Sequence, residues 1–152
     1  MENKIDNKFE AMMEFVQSSP YAGQNTYLNY LTDENNDDNT ALLTSGHGKV
    51  VSSYVDGTCL INLAFEIRQI KPHSKESNVY ANSDAMQEVQ SFMDWINEQG
   101  KAKSYPDFGD RCKVQYMATP KTAKTPTMLG LTEAEDGAIY SFPIEILYLE
   151  RK

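Results

Sequence analysis

The chain has 152 residues, of which 40% are apolar, 11% aromatic and 24% charged, the size and mix of one globular domain that builds its own hydrophobic core. Fourteen Lys and Arg against 22 Asp and Glu leave a net charge of −8, which argues against nonspecific binding to a phosphate backbone or docking on anionic lipid. The longest apolar stretch, Leu60 to Phe65, is interrupted by Asn62 and falls far short of the ~20 residues of a spanning helix.

Ile5, Phe9, Met12, Met13 and Val16 fall on one face at helical spacing, so the first predicted element is an amphipathic helix stopped by Ser18-Ser19-Pro20. Tyr21 to Leu31 reads equally as a short strand or a turn of helix. Asp33 to Thr40 (DENNDDNT) has no apolar side chain and reads as an exposed loop. A hairpin follows: Lys49 to Val55, a turn at Asp56-Gly57, then Cys59, Ile61, Leu63, Phe65 and Ile67 in strict alternation with their neighbours. Lys71 to Ala81 is polar and reads as a loop. A second helix is expected to open at Asn82, Ser83 or Asp84, to bury Ala85, Met86, Val89, Phe92, Met93 and Ile96, and to end in a left-handed cap at Gly100. Trp95 would border that stripe.

Tyr105 to Asp110 is turn chemistry. Cys112, Val114 and Tyr116 then alternate as the inward side of a third strand. Thr119 to Thr127 (TPKTAKTPT) is expected to be an exposed, mobile excursion. Two strands close the chain, Met128 to Thr132 and Ala138 to Glu150; in the second, Tyr140, Phe142, Ile144, Ile146 and Tyr148 share a face. Pro143 lacks a donor and suggests an edge strand or a bulge there. No repeat or linker divides the chain, so residues 1–152 form a single domain. Its expected fold is α+β: a mostly antiparallel sheet of four to five strands with two helices packed on one face.

A constellation for chemistry is missing from this pattern. His47 and His73 lie in polar loops without spaced metal-ligand partners. Gly46-His47-Gly48 is too short to cradle phosphate, and Asp33, Glu34, Asp37 and Asp38 lack the glycine and terminal glutamate of an EF-hand. Cys59 and Cys112 have no CxxC spacing and read as small buried strand residues in a reducing compartment. The N-terminus has no apolar core of a signal peptide, so synthesis in cytoplasm is expected. Residues 99–125 carry a net charge of +4 with Tyr105, Phe108 and Tyr116 nearby, a pattern that suits single-stranded nucleic acid or, equally, a solvated face.

The order of the pieces carries a resemblance. Ser19-Pro20 leads to Asn29-Tyr30-Leu31. Tyr54-Val55-Asp56-Gly57 leads to Phe65-Glu66-Ile67-Arg68. Asn82 precedes Phe92, Asp94-Trp95 and Ile96, then come Pro106, Ala138-Ile139-Tyr140 and Ile144 to Tyr148. Taken together, from about Ile5 to Arg151, the chain resembles the minor capsid or tail terminator proteins of long-tailed phages of Gram-positive bacteria. The positions that match are Tyr54, Asp56, Gly57, Phe65, Arg68, Asn82, Trp95 and Tyr140.

The resemblance implies a structural virion protein of the neck, made in host cytoplasm. It would form a homo-oligomeric, usually six-fold ring that caps the tail tube, ends its polymerisation and joins it to the head connector. Its partners would be the tube and connector proteins, with DNA passing through the channel unbound and no membrane involved. No catalytic, cofactor-binding or metal-binding residue belongs to that role. A head-side connector or completion protein of the same virion, or a small cytosolic binding module, is the alternative. Edge strands such as Ala138 to Glu150 are expected to pair across subunits. The candidate subunit interface sets the acids Asp33, Glu34, Asp37 and Asp38 of one copy against Lys121 and Lys124 of the next.

Overall fold

A computed structural model describes residues 7–23, 25–29, 39–45, 48–73, 80–132 and 137–151. The protein is α+β, with element order α1 (Lys8–Gln17), β1 (Asn25–Leu28), β2 (Asn39–Thr44), β3 (Lys49–Ser53), β4 (Cys59–Pro72), α2 (Tyr80–Lys101), β5 (Cys112–Ala118), β6 (Thr127–Leu131) and β7 (Gly137–Glu150). Among the described residues the strands number seven rather than four or five, yet they occupy five rows. β4 and β7 pair antiparallel along all 14 residues of each. β2 and β3 share the free side of β4, at residues 65–69 and 59–62. β5 and β6 share the free side of β7, at 145–150 and 138–141. β1 lies outside β2 and runs parallel to it.

This pairing corrects the expected edge. The strand from Ala138 to Glu150 is central, because β4 holds one of its sides and β5 with β6 hold the other. Pro143 is tolerated there for a local reason. On the β5/β6 side the pairing stops at Glu145 and resumes at Ser141, so Pro143 sits where the neighbouring row is interrupted.

The core is the inward face of this ribbon. Leu63 pairs with Ile146, Phe65 with Ile144 and Ile67 with Phe142, and all six are buried in one cluster with Met12 and Val16 of α1 and Val89, Phe92, Met93 and Ile96 of α2. Phe92 meets Phe142 edge-on at 5.4 Å between ring centroids, a favoured aromatic geometry. Phe15 of α1 meets Trp95 of α2 at 5.1 Å. α1 begins where Asn7 accepts the amides of Phe9 and Glu10 at its Oδ1, satisfying two donors that the helix itself leaves open.

Several local expectations change. Tyr21 to Leu31 supplies strand β1. Asn39 and Thr40 are not loop but the buried start of β2. There the Thr40 hydroxyl donates to the Ala22 carbonyl and accepts from Gln69 Nε2, which removes the cost of burying it. Residues 33–38 lie outside the described residues. β4 runs on to Pro72, and α2 is already formed at Tyr80. Asn82, Ser83 and Asp84 are therefore interior, since neither Pro nor Gly interrupts the helix before them. Met86 is exposed, one residue off the Ala85, Val89, Phe92, Ile96 stripe.

Gly100 is helical rather than a left-handed cap. A Cβ there would lie 2.0 Å from the Met117 carbonyl oxygen, so glycine is needed for the close approach of α2 to β5. The left-handed residue is Lys103, at φ 59°. The amide of Ser104 reaches the Gln99 carbonyl, and that of Lys103 the Gly100 carbonyl, a Schellman ending.

A bulge between Val114 and Tyr116 shifts the phase of β5, so Val114 and Met117 are buried while Tyr116 is exposed. Cys59 and Cys112 are half-buried and form no disulfide. Both are registered on Glu150, from opposite sides of β7, which sets them about two strand spacings apart, ~10 Å and beyond disulfide reach.

Candidate interaction site

The excursion between β5 and β6 is fastened rather than loose. The Asn97 side chain donates to Thr119 Oγ1 and accepts from the Thr119 amide, both at 2.9 Å. About two turns earlier on α2, Gln90 Nε2 donates to the Lys124 carbonyl at 3.3 Å and to Asp94. Two amide side chains on the solvent face of α2 thus hold both ends of residues 119–124, and the Ala123 amide closes a turn onto the Pro120 carbonyl. Between helix and excursion lies a recess of about 660 Å³ whose walls include Asp94, Glu98, Lys101, Tyr116, Lys121 and Lys124.

Lys121 and Lys124, the basic half of the expected interface, therefore stand on the rim of this recess. Both are exposed. Among the described residues, neither they nor Lys101 pairs with a carboxylate. Asp33, Glu34, Asp37 and Asp38 lie outside the described residues, so the acidic half of that contact has no geometry here. The recess itself was invisible in the sequence, because its clamp joins Asn97 to Thr119 across a helix end, a turn and a strand.

The residues matched in the resemblance take structural places. The Gly57 amide bonds to the Tyr54 carbonyl, and Asp56 Oδ1 accepts the Thr58 amide at 3.0 Å. That bond and the Thr58 hydroxyl hold the Asp56 carboxyl below its usual range. With the turn held by Asp56, Gly57 and Thr58, Tyr54 and Val55 point outward, Val55 fully exposed. Phe65 and Tyr140 are core. Arg68 donates to Glu66 at 2.8 Å on the other sheet face. Burial raises the proton affinity of Tyr148, with the Glu150 and Cys112 charges adding to it, and its hydroxyl is pushed up to about 12.

Most of the exposed large apolar side chains lie on the outer strands, Leu28 on β1, Val50 and Val51 on β3, Tyr116 on β5, and Met128, Leu129 and Leu131 on β6, while Tyr21, Tyr54, Val55 and Met86 lie off them. Among the described residues, no group of three or more His, Cys, Asp or Glu is placed to hold a metal ion, and no helix is long and apolar enough to cross a membrane. No protein-family model and no curated protein matches the chain.

Proposed function

We propose that this chain is a structural virion protein rather than an enzyme: a ring-forming tail terminator that caps the tail tube, stops its polymerisation and joins it to the head connector. The order of sequence pieces from about Ile5 to Arg151 supports the reading. The observation that carries it is the pair of unlike sheet edges on one chain, β1 with β3 on one side and β5 with β6 on the other, each exposing apolar side chains. Two different edges are what head-to-tail assembly uses, whereas a two-fold dimer needs only one.

In the proposed neck, the tube and connector proteins meet the ring's two ends and DNA passes through an acidic channel without sticking. The rim lysines Lys121 and Lys124 steer a neighbour's acidic segment around Asp33, Glu34, Asp37 and Asp38 into place. Exposed pairs contribute only ~0–1 kcal/mol each, so they orient more than they hold.

Light scattering and native mass spectrometry at micromolar concentration test the reading. A closed oligomer of six copies is the expected mass; a stable monomer at all concentrations overturns it and favours a small binding module. Reversing Lys121 and Lys124 to Glu slows assembly at low salt and leaves the monomer's unfolding midpoint unchanged. Assembly at the wild-type rate at every ionic strength removes the steering role alone.

A further inference from the structure

The two edges differ in a way that singles out one strand on each side. β3 carries Lys49 and β5 carries Lys113, and a charge on an edge strand is a common guard against pairing with another chain. β1 (NTYL) and β6 (TMLGL) carry neither a charge nor a proline. Bulges interrupt β3, β5 and β6 alike, so it is the charge that separates the guarded edges from the unguarded ones.

β1 and β6 also stand at the same height. Thr26 is registered on Thr40, Thr40 on Gln69, Gln69 on Tyr140, and Tyr140 on Met128, one transverse row that ends in Thr26 on one side and Met128 on the other. The strand senses are compatible. β1 runs with β2, β2 against β4, β4 against β7 and β7 against β6, so β1 and β6 are antiparallel. Antiparallel pairing is slightly the more stable kind.

Within one chain these strands lie on opposite sides of the sheet and cannot meet. Leu28 on β1, and Met128, Leu129 and Leu131 on β6, stay exposed, at 39%, 42%, 48% and 37%. A Cβ added at Gly130 would meet nothing within 4 Å, so the sheet face over β6 is open at this position too.

We infer that β1 of one copy pairs antiparallel with β6 of a second copy, Thr26 beside Met128, so that the sheet continues from subunit to subunit. The occupant is this chain itself, because each edge finds in the other its matching sense and height. Two copies of net charge −8 repel at a distance, and these uncharged strands are where they approach with least opposition. The inference rests on the assembly reading and names the strands that make the contact.

The test places one cysteine on each strand, Thr26→Cys and Met128→Cys, with Cys59 and Cys112 changed to Ser. Residues opposite each other on antiparallel strands have Cα atoms ~4.5–5.5 Å apart, within disulfide range. Mild oxidation of the mixed variants gives a linked dimer, and the variant bearing both cysteines gives a ladder of multiples. Either single variant alone gives none. In the wild type, amides 127–131 exchange at least about tenfold more slowly in the oligomer than in the diluted monomer, a readout independent of the cysteine variants.

An oligomer of the expected mass with neither the mixed disulfide nor slowed exchange in β6 overturns the strand pairing and leaves the assembly reading standing. A disulfide formed within one single-cysteine population overturns it too, since that contact is two-fold. Linked, open filaments support the pairing and overturn the closed ring. A monomer under all conditions overturns both.

Discussion

The central ribbon and the rows beside it are made of the same kind of strand and behave differently. β4 and β7 are 14 residues long, paired to each other throughout, with alternate side chains in the core from Ile61 to Ile67 and from Phe142 to Tyr148. The outer rows are broken in the middle and bulged at three places; Leu42 of β2 and Val114 and Met117 of β5 reach the core, but β1, β3, β5 and β6 also leave apolar side chains exposed. Burial on one face and pairing on both sides make the ribbon the source of stability; the outer rows carry surface that the monomer does not use.

Truncation contrasts the two most directly. Phe142→Ala removes a side chain that is 1% exposed and should cost ~3–5 kcal/mol, read as a lower urea midpoint. Leu129→Ala on β6 should change the monomer's stability by less than about 0.5 kcal/mol and show its effect in assembly instead. Equal losses in the monomer would mean that the outer row is part of the same core.

The joint between helix and outer row is the next test. Gly100→Ala would place a methyl group 2.0 Å from the Met117 carbonyl oxygen, with backbone on both sides, so α2 must lift from β5. Overpacking of this kind costs ~1–3 kcal/mol and occasionally more. A melting temperature equal to wild type would show that the helix end shifts without cost.

Much of the ribbon was legible in the sequence. Cys59 to Arg68 and Tyr140 to Tyr148 alternate cleanly because one face of a long strand is buried, and the Phe9, Met12, Val16 and Val89, Phe92, Ile96 spacings mark helices for the same reason. Alternation reports which face is inward but not which strand lies alongside, so β7 reads as an edge when it is central. β1 stayed open between strand and helix because it is only four residues long, and β2 escaped because it begins in polar residues whose burial depends on distant partners, as Thr40 depends on Gln69 and Ala22. Tyr116 fell on the wrong face because a single bulge inverts everything after it. Of the candidate interface, the basic tract at Lys121 and Lys124 was visible as composition, whereas the recess behind it exists only once Asn97 and Gln90 fasten the excursion to α2.

A smaller change of opposite sign concerns the end of α2. Lys103 holds a left-handed backbone at φ 59°, which costs an L-residue ~1–2 kcal/mol and glycine almost nothing. Lys103→Gly should therefore raise stability by up to about 1 kcal/mol, after the added freedom of the unfolded chain is discounted. A loss of stability would mean that the Lys103 side chain contributes more than its backbone costs.

The smallest expected effect joins the two strands of the ribbon on the face away from the core. Glu66 on β4 accepts from Arg68 at 2.8 Å and from the Ser141 hydroxyl of β7. Partial burial pushes its carboxyl up, but the Arg68 guanidinium and the Ser141 hydroxyl outweigh that and leave it below its ordinary value of 4.5. A carboxyl whose folded pKa is lowered binds fewer protons when folded than when unfolded. Its contribution is therefore complete above the unfolded value and is lost as the pH falls through the folded one. Both partners are partly open to solvent, at 39% and 25% side-chain exposure, so the contribution is under about 1 kcal/mol and weakens with salt. Glu66→Gln keeps the shape and removes the charge. Urea midpoints compared from neutral to acidic pH should show the variant less stable near neutrality, with the gap closing below the ordinary glutamate range. A gap that stays constant down to the acid limit would assign the loss to altered hydrogen bonding with Ser141 and not to the ion pair.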